Sequence, residues 1–408
     1  MSFCLFCFTI GLLAFDKRNL IFIKRRACPP SAGKEGTYGM SNPQYVPAVV
    51  PRLEIPGTLT DAAPFGNGHI NTTYLLSFLS RDSGSLQKYI LQQINTQVFQ
   101  EPEHLMENIF SVCTYLRQRV LARGGDPEKE TLTLVPFSNG EHLLYDNEGR
   151  CWRCYRYVEN SVSYDFADTP QIMEGAGRAF GRFQMDLDGY PAEKLWETIP
   201  HFHDTPSRYA DFCRAVEEDS LGRADSVQEE IAFWKSREAD FYRVQPLLEE
   251  GRLPLRVTHN DTKLNNVLFD RDTNAPLCVV DLDTIMPGLS LYDFGDSLRA
   301  GASTAAEDER DLSKVSFSLE MFEAFTRGFL SETRSVLTEE ELALLPFSAK
   351  LMTMECGIRF LTDYLQGDTY FKIHRPGHNL DRCRTQMKLV ADMETKSREM
   401  MDILRRCL

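Results

Sequence analysis

Short apolar runs with polar residues between them dominate the first third of the chain. "NTTYLLSFL" (71–79) and "QKYILQQI" (87–94) have the β-rich composition that is typical of strands. Apolar positions three or four residues apart then predict a helix over 102–125, which the pair Gly124–Gly125 ends. Three further strands are predicted at 131–137, 141–146 and 151–158. The pattern therefore indicates a mostly antiparallel sheet with one inserted helix.

After residue 160 the pattern changes to long helical periods. Helices are predicted over 171–187, within 225–251 and over 313–330. We therefore expect an α+β, bilobal fold, in which an N-terminal β-rich lobe (40–157) precedes a larger, mostly helical lobe (158–408). Polar motifs early in the second lobe suggest a cleft between the two.

Composition and charge narrow the class of protein. The 408 residues are 42% hydrophobic and 25% charged, which is ordinary for a globular protein with a real core. A net charge of -14 argues against a large surface for nucleic acid. Eleven scattered cysteines, an odd number, predict reduced thiols in a cytoplasmic protein. Cys151 and Cys154 form a CxxC without a second pair or a nearby histidine, so two half-buried strand residues are favoured over zinc or redox chemistry.

The N-terminal segment is interpreted separately from the rest. The apolar run at 3–15 is too short to span a bilayer, and no positive region precedes it as in a signal peptide. Met40 is a more natural first residue for the protein. We therefore predict that residues 1–39 are an over-extended or disordered leader, and that the protein is a monomer or weak homodimer without stable membrane association.

Two polar motifs follow, "VTHNDTKLNNVLFD" (257–270) and "VVDLDTIMPG" (279–288). They read as a hairpin in which a turn rich in Asp and Asn joins two short strands. The residue that enters the first strand and the residue that leaves the second then lie at the same end, so Asn266 and Asp281 are expected to be neighbours. Amide and carboxylate oxygens are the ligands that Mg²⁺ prefers.

Asp261 lies on the loop that leads into this same end, where it could accept a proton from a substrate hydroxyl. Base, metal ligands and phosphate binding together are the requirements of phosphoryl transfer. The pattern HxDxxxxN with a hairpin and Asp is fairly specific, and the alternative is a turn-rich loop with Asx caps. For His259 a structural role, with its ring bonded to backbone, is favoured over catalysis.

These motifs resemble the aminoglycoside phosphotransferase and choline kinase family, whose members have a protein-kinase-like fold. The resemblance covers roughly residues 50–400. It implies that Asp261 is the catalytic aspartate and that Asn266 and Asp281 are the metal ligands. Asp283 would either contact these ligands without binding the metal ion or bind a second metal ion.

Several stretches are more similar to the bacterial N-acetylhexosamine 1-kinases within that family. They are "FGNGHINTTYLL" (65–76), "YILQQIN" (89–95), "HLMENI" (104–109), "YDFGDSLR" (292–299), "ECGIRFLTDYLQGDTYFK" (355–372) and "HNLDRCRTQMKLV" (378–390). This resemblance implies transfer of the γ-phosphate of ATP, with Mg²⁺, to the anomeric hydroxyl of GlcNAc or GalNAc. Arg359 and Tyr370 would contact the sugar, Asp261 its 1-hydroxyl, and Lys263 the transferring phosphate.

Two further stretches are candidates for nucleotide contacts. Gly66 and Gly68, with His69 beside them, would let the backbone approach phosphates closely, and a plain β-turn is the alternative. Tyr157 and Val158, at the proposed lobe junction, would bind adenine through their backbone unless they form an ordinary linker.

One departure from kinase-like proteins concerns the strand lysine, which normally pairs with a helix glutamate. Gln92 occupies the matching position. Lys88 is ~13 Å away along the strand and is a poor substitute. Glu107, on the following helix, therefore lacks its expected partner, and what steadies the α- and β-phosphates is left open.

Two polar groups near the proposed acceptor region have competing interpretations. Glu355, Arg359 and Asp363 follow i, i+4, i+8 spacing, which a solvated ion-pair ladder on a helix would also produce. Residues 201–209 contain two histidines and an aspartate, for which a structured loop beside the substrate is favoured over metal binding.

Three functions are compatible with these features. A sugar 1-kinase is the leading interpretation. A kinase of an aminoglycoside, choline or another amino alcohol would share the chemistry, but Arg359, Lys372 and Arg375 count against a cationic acceptor. A nucleotide-binding scaffold without activity is favoured by Gln92. It is disfavoured by the presence of all three of Asp261, Asn266 and Asp281.

Overall fold

Antiparallel strands form the first part of the computed structural model, which describes residues 47–66 and 70–408. Five of them pair in the order β1-β2-β3-β5-β4, and each pairing is antiparallel. The strands are β1 (Gly57–Pro64), β2 (Thr72–Ser80), β3 (Leu86–Ile94), β4 (Leu144–Tyr145) and β5 (Cys151–Arg156). The predicted antiparallel sheet is confirmed, and the predicted leader lies outside the described residues.

The helix inserted in this sheet is α1 (Pro102–Ala122), and the chain leaves it through Gly124, whose φ of 78° suits glycine. A short helix, α2 (Pro127–Glu130), follows. The predicted strand at 131–137 is wrong, because this segment forms isolated bridges at Leu134 and Phe137 and a few backbone hydrogen bonds, such as Val135 N–H to the Cys154 carbonyl oxygen, but no continuous ladder. Pro136 has no N–H to continue a ladder.

Strand β5 is buried on both of its faces. Cys151 and Tyr155 pack into the large core shared with the helices, whereas Trp152 and Cys154 pack into a separate core against the outer strands. The expectation of two half-buried cysteines is therefore wrong, because both thiols are fully buried. The cysteines of the described residues are all unpaired.

Helices build the rest of the chain. They are α3 (Pro170–Asp186), α4 (Thr205–Glu218), α5 (Gln228–Lys235), α6 (Glu238–Phe241), α7 (Gln245–Glu249), α8 (Ser290–Gly301), α9 (Leu319–Thr333), α10 (Glu339–Gln366), α11 (His378–Thr395) and α12 (Ser397–Cys407). Within the described residues no helix is long and apolar enough to cross a membrane. The predicted lobe boundary at residue 158 falls between β5 and the next strand and, as a domain division, stays a prediction.

Two of the helical predictions need correction. The helix expected within 225–251 is broken into α5, α6 and α7. The side chains of Ser236 and Arg237 both donate to the carbonyl oxygen of Phe233, which a continuing helix would need for its own ladder. The helix expected from 313 begins only at Leu319, where the hydroxyl of Ser318 caps the backbone N–H of Met321.

Helices α3 and α9 cross at very short range. A Cβ on Gly177 would lie 2.3 Å from the carbonyl oxygen of Phe325, and one on Gly328 would lie 2.1 Å from that of Glu174. Glycine at these positions is therefore what lets the two backbones touch. Phe180 of α3 in turn packs its ring against His259, so this crossing supports the polar loop described next.

Small sheets carry the two polar motifs. β7 (Arg256–Thr258) pairs with β10 (Met286–Gly288). β6 (Ser161–Val162), β8 (Val267–Asp270) and β9 (Pro276–Val279) form the second sheet, with Val267 opposite Val279. The predicted hairpin is thus present: its strands were expected at 266–269 and 277–280, and each lies one residue away from these bounds.

Candidate active site

The hairpin of β8 and β9 brings the two predicted metal ligands to one end. The backbone N–H of Val280 donates to the carbonyl oxygen of Asn266 at 2.9 Å, so Asp281 leaves the sheet where Asn266 enters it. Asn266 ends a short 3₁₀ turn, Leu264–Asn266, instead of starting the strand. The expectation that these two residues are neighbours is confirmed.

The Asn266 side chain is oriented by Asp261. Its Nδ2 donates to the Asp261 carbonyl oxygen at 2.8 Å and to the carboxylate Oδ2 at 3.2 Å. With the amide nitrogen engaged in this way, the carboxamide oxygen points to the other side, where it can act as a ligand.

Asp281 has a left-handed backbone, with φ 63° and ψ 59°, at the start of a second 3₁₀ turn. The surrounding protein atoms displace water from its carboxylate, and the carboxylates of Asp283 and Asp261 repel its charge. Together they raise the pKa of Asp281 to about 6, although the guanidinium of Arg153 opposes them. This group is therefore short of compensating positive charge.

A lysine pairs with the predicted catalytic carboxylate. Lys263 Nζ lies 2.6 Å from Asp261 Oδ1, and the lysine side chain is 47% exposed. Partial desolvation lowers the pKa of Lys263, but the carboxylates of Asp261 and Asp296 outweigh it and hold that pKa above its usual value. Asp261 thus has a cation at one oxygen and the Asn266 amide at the other.

Helix α8 holds the backbone of this loop. Asp293, which is fully buried, accepts the N–H groups of His259 at 3.0 Å and Asn260 at 2.8 Å, and Gln184 Nε2 donates to it at 2.9 Å. One turn later Asp296 accepts the N–H of Thr262 at 3.0 Å. Burial raises the pKa of Asp293, and these hydrogen bonds oppose that rise. Sequence reasoning missed both carboxylates. Their only indication in the sequence was that both lie in "YDFGDSLR", one of the stretches that resemble the family.

His259 makes the backbone contacts expected of a structural residue. Its Nε2 faces the carbonyl oxygen of Val280 at 2.9 Å and must donate to it, while Nδ1 accepts the N–H of Asp261 at 3.3 Å. These contacts fix a neutral tautomer. The imidazole therefore ties the loop to the hairpin and has no nitrogen left for substrate.

The structure describes only some of the residues that were predicted to contact the nucleotide. Gly66 has φ 76°, which suits glycine in the turn after β1, whereas Gly68 and His69 lie outside the described residues. The backbone N–H of Tyr157 donates to the Lys88 carbonyl oxygen at 3.1 Å. That group is thus already used, and Val158 follows it as a buried residue.

Gln92 and Glu107 do not take the roles of a kinase lysine–glutamate pair. The Gln92 amide bonds Thr73 and Arg153 within the sheet. The Glu107 carboxylate accepts the indole N–H of Trp196 at 2.6 Å, near the surface. Sequence reasoning did not single out Arg153, whose guanidinium lies 2.5 Å from Asp283.

Arg359 and Tyr370 come together as the resemblance implied. Arg359 Nη2 lies 3.4 Å from the Tyr370 hydroxyl, and its guanidinium lies 5.4 Å from the ring of Phe371. Tyr370 is 68% exposed and presents its ring to solvent. Asp363 holds this segment by accepting the backbone N–H groups of residues 369–371.

The solvated ion-pair ladder on α10 is therefore the wrong interpretation. Glu355 and Asp363 are 1% and 3% exposed. Glu355 accepts from His203 Nδ1 at 2.8 Å, and His203 Nε2 reaches the carbonyl oxygen of Asn260 at 3.0 Å. Since both ring nitrogens face acceptors, His203 is an imidazolium. Burial lowers the pKa of His203, but the Glu355 carboxylate outweighs it and raises that pKa.

Among the described residues no group of three or more His, Cys, Asp and Glu side chains could hold a metal ion. His201 instead bonds Asp204, which caps α4. Residues 201–204 are therefore a structured loop, as was favoured, whereas residues 205–209 begin α4. This start of the helix carries Arg208, whose pKa is lowered by burial and by the guanidinium of Arg359.

An antiparallel sheet, a helical portion and an acidic loop that contacts the sheet are the arrangement of the kinase-like phosphotransferases. Residues 61–321 match the model of the phosphotransferase enzyme family known as APH, and the chain belongs to that family. The resemblance stated from the motifs is thereby confirmed at the level of the family.

Three solved structures are similar to this chain, and the first of them shares its fold. An aminoglycoside phosphotransferase from Alicyclobacillus acidocaldarius is 11% identical, with a TM-score of 0.56 over 90% of this chain and 98% of that one. An ethanolamine kinase of Plasmodium vivax is 13% identical over 84% of both chains, with a TM-score of 0.49. A choline kinase of Streptococcus pneumoniae is 12% identical over 82% of this chain and 94% of that one, with a TM-score of 0.48.

Proposed function

We propose that this protein transfers the γ-phosphate of ATP to the anomeric 1-hydroxyl of an N-acetylhexosamine, GlcNAc or GalNAc. The observation that carries the proposal is the convergence of Asp261, Asn266 and Asp281 at one end of the β8–β9 hairpin, with Lys263 bonded to the first of them. These groups match a base, two oxygen ligands and a phosphate-facing cation.

Asp261 is positioned to act as the base. Its two oxygens are held by Lys263 Nζ and Asn266 Nδ2, so the carboxylate has a fixed orientation before substrate arrives. In the proposed reaction it accepts the proton of the sugar hydroxyl as that oxygen attacks the γ-phosphorus atom, while the bond to the β,γ-bridging oxygen breaks and ADP leaves. Lys263 can then turn toward the transferring phosphate, whose charge replaces that of the carboxylate.

The donor set fits a magnesium ion. Asn266 offers an amide oxygen and Asp281 a carboxylate, both hard oxygen ligands. The carboxylates of Asp261, Asp281 and Asp283 face the two cations Lys263 and Arg153, which leaves one negative charge in excess. When bound, the ion would neutralise the phosphate oxygens and hold them in line with the attacking hydroxyl.

The acceptor side presents guanidinium groups. Arg208, Arg359 and the protonated His203 act on the buried carboxylate of Glu355. Sugar hydroxyls and an acetamide oxygen can accept hydrogen bonds from guanidinium groups, whereas a cationic amine cannot. The exposed ring of Tyr370 offers a face against which a pyranose can pack. This arrangement supports a neutral sugar over an amino alcohol.

The test is ³¹P NMR of the purified protein with ATP, Mg²⁺ and either GlcNAc or GalNAc. We expect a sugar 1-phosphate resonance from the wild type and from Asp82→Asn, a carboxylate on an exposed turn. Asp261→Asn should give none while it keeps its fold, as judged by circular dichroism. Turnover by Asp261→Asn at the wild-type rate would overturn the assignment.

A panel of acceptors separates the competing functions. Phosphorylation of choline, ethanolamine or an aminoglycoside in place of the sugars would keep the phosphotransferase chemistry and refute the acceptor. Nucleotide binding without ADP release for any acceptor would favour the scaffold interpretation.

A further inference from the structure

A buried ion pair joins the antiparallel sheet to the loop that follows Asp281. Arg153, 1% exposed on β5, has its Nη1 2.5 Å from Asp283 Oδ1. The other oxygen of Asp283 accepts Asn71 Nδ2 at 2.6 Å. Asn71 is the residue between the glycine-containing turn and β2. One carboxylate therefore connects β5, the end of that turn and the acidic loop.

The strand that should carry a lysine instead orients this arginine. Gln92 of β3 stands directly opposite Arg153 of β5 in the sheet register. Its Oε1 accepts Arg153 Nε at 3.0 Å, while its Nε2 donates to the Thr73 hydroxyl at 3.2 Å. Both ends of the amide are thus used to fix the guanidinium. Because Gln92 is neutral and accepts a hydrogen bond, the positive charge lies on Arg153 of the neighbouring strand β5.

The other basic residues of the sheet act elsewhere. Lys88 pairs with Glu159 at 3.8 Å, at the far end of β3. Arg153, by contrast, acts on the charge of both Asp281 and Asp283, and these carboxylates hold its pKa above the usual value despite burial. A guanidinium also offers five N–H donors, of which Nε and Nη1 account for the contacts described.

We infer that Arg153 takes the place of the absent strand lysine, as the cation that steadies the β-phosphate of the nucleotide and positions the loop after Asp281. The inference rests on the proposed function, since it presumes an ATP site beside Asp281. It answers the question raised by Gln92, and it assigns Arg153 a role that a lysine–glutamate pair has in other kinase-like proteins.

The experiment compares ADP with AMP, because only ADP has a β-phosphate. Removing Arg153 alone would leave a buried, unpaired carboxylate, so the variant is the charge-neutral double Arg153→Met/Asp283→Asn. By isothermal titration calorimetry we expect the affinity for ADP to fall at least tenfold and that for AMP to stay within twofold. Adding Gln92→Lys to the double variant should restore most of the ADP affinity.

An unchanged ratio of ADP to AMP affinity in the folded double variant would show that the ion pair is structural only and would overturn the inference. If that variant does not fold, Gln92→Met decides, because it keeps the Arg153–Asp283 ion pair and removes the amide that orients the guanidinium. A selective loss of ADP affinity then supports the inference, and an equal effect on both nucleotides refutes it. Failure of the wild type to bind either nucleotide would count against the proposed function itself.

Discussion

The carboxylate of Asp293 supports the loop that carries Asp261. It is fully buried, and it accepts two consecutive backbone N–H groups from the residues just before Asp261, as well as the amide of Gln184. Asp293→Asn keeps the shape of the side chain but replaces one oxygen by an NH₂ group. That group faces N–H donors, so one or two hydrogen bonds are lost and the donors stay unpaired.

The size of the effect follows from these contacts. Hydrogen bonds to a charged group contribute about 1.5–3 kcal/mol each, and removal of the buried charge offsets part of their loss. We expect the free energy of unfolding to fall by about 2–4 kcal/mol, which corresponds to roughly 3–5 °C in Tm for a chain of this size. Displacement of Asp261 by even 1 Å should lower kcat about a hundredfold.

Guanidinium denaturation and steady-state turnover measure the two effects. Asp225→Asn, at an exposed carboxylate, is the matched control and should change neither. If Asp293→Asn unfolded within about 0.5 kcal/mol of the wild type, as surface variants do, and also turned over normally, the reasoning would be refuted.

Three further predictions follow from the contacts of single residues. Glu107→Gln should keep turnover within twofold, because its carboxylate bonds the exposed indole of Trp196, and a tenfold loss in a coupled ADP-release assay would contradict this. His203 has a raised pKa, so its contribution to stability is complete below about pH 6.5 and is lost as pH rises through that raised value. The difference in unfolding free energy between the wild type and His203→Gln should therefore shrink as the pH rises above about 6.5 in urea titrations, and a constant difference would count against an imidazolium. Gly177→Ala should cost about 1–3 kcal/mol in a thermal melt, since its Cβ meets the backbone of α9, whereas Gly301→Ala meets only the flexible end of a methionine and should be tolerated.

Local periodicity was enough to predict several elements. β2, β3 and α1 were found within one to three residues of the predicted bounds, because their apolar spacing is strong and turn or helix-ending residues flank them. The hairpin that carries Asn266 and Asp281 was predictable for the same reason, since its two strands and their turn are contiguous in the chain.

Contacts between segments that are distant in the chain could not be predicted from the sequence. Asp293 reaches the loop at 259–260 from a helix more than thirty residues later, and Arg153 meets Asp283 across 130 positions. Nothing in the local pattern selects one buried charge over another as the partner of a given carboxylate. The break after α5 was missed because side chains that take over a helix carbonyl leave the apolar spacing intact.

The amide at Gln92 also has a consequence for chemical labelling. Nucleotide analogues that acylate amines need a nucleophilic lysine beside the phosphates. A carboxamide does not react with them, and the guanidinium of Arg153 stays protonated at any ordinary pH. Lys263 is the amine paired with the carboxylate of Asp261, so such a reagent should label Lys263 and no residue of the sheet. Labelling would then remove the ion pair of Asp261 together with the amine, unlike labelling of a kinase that carries the strand lysine.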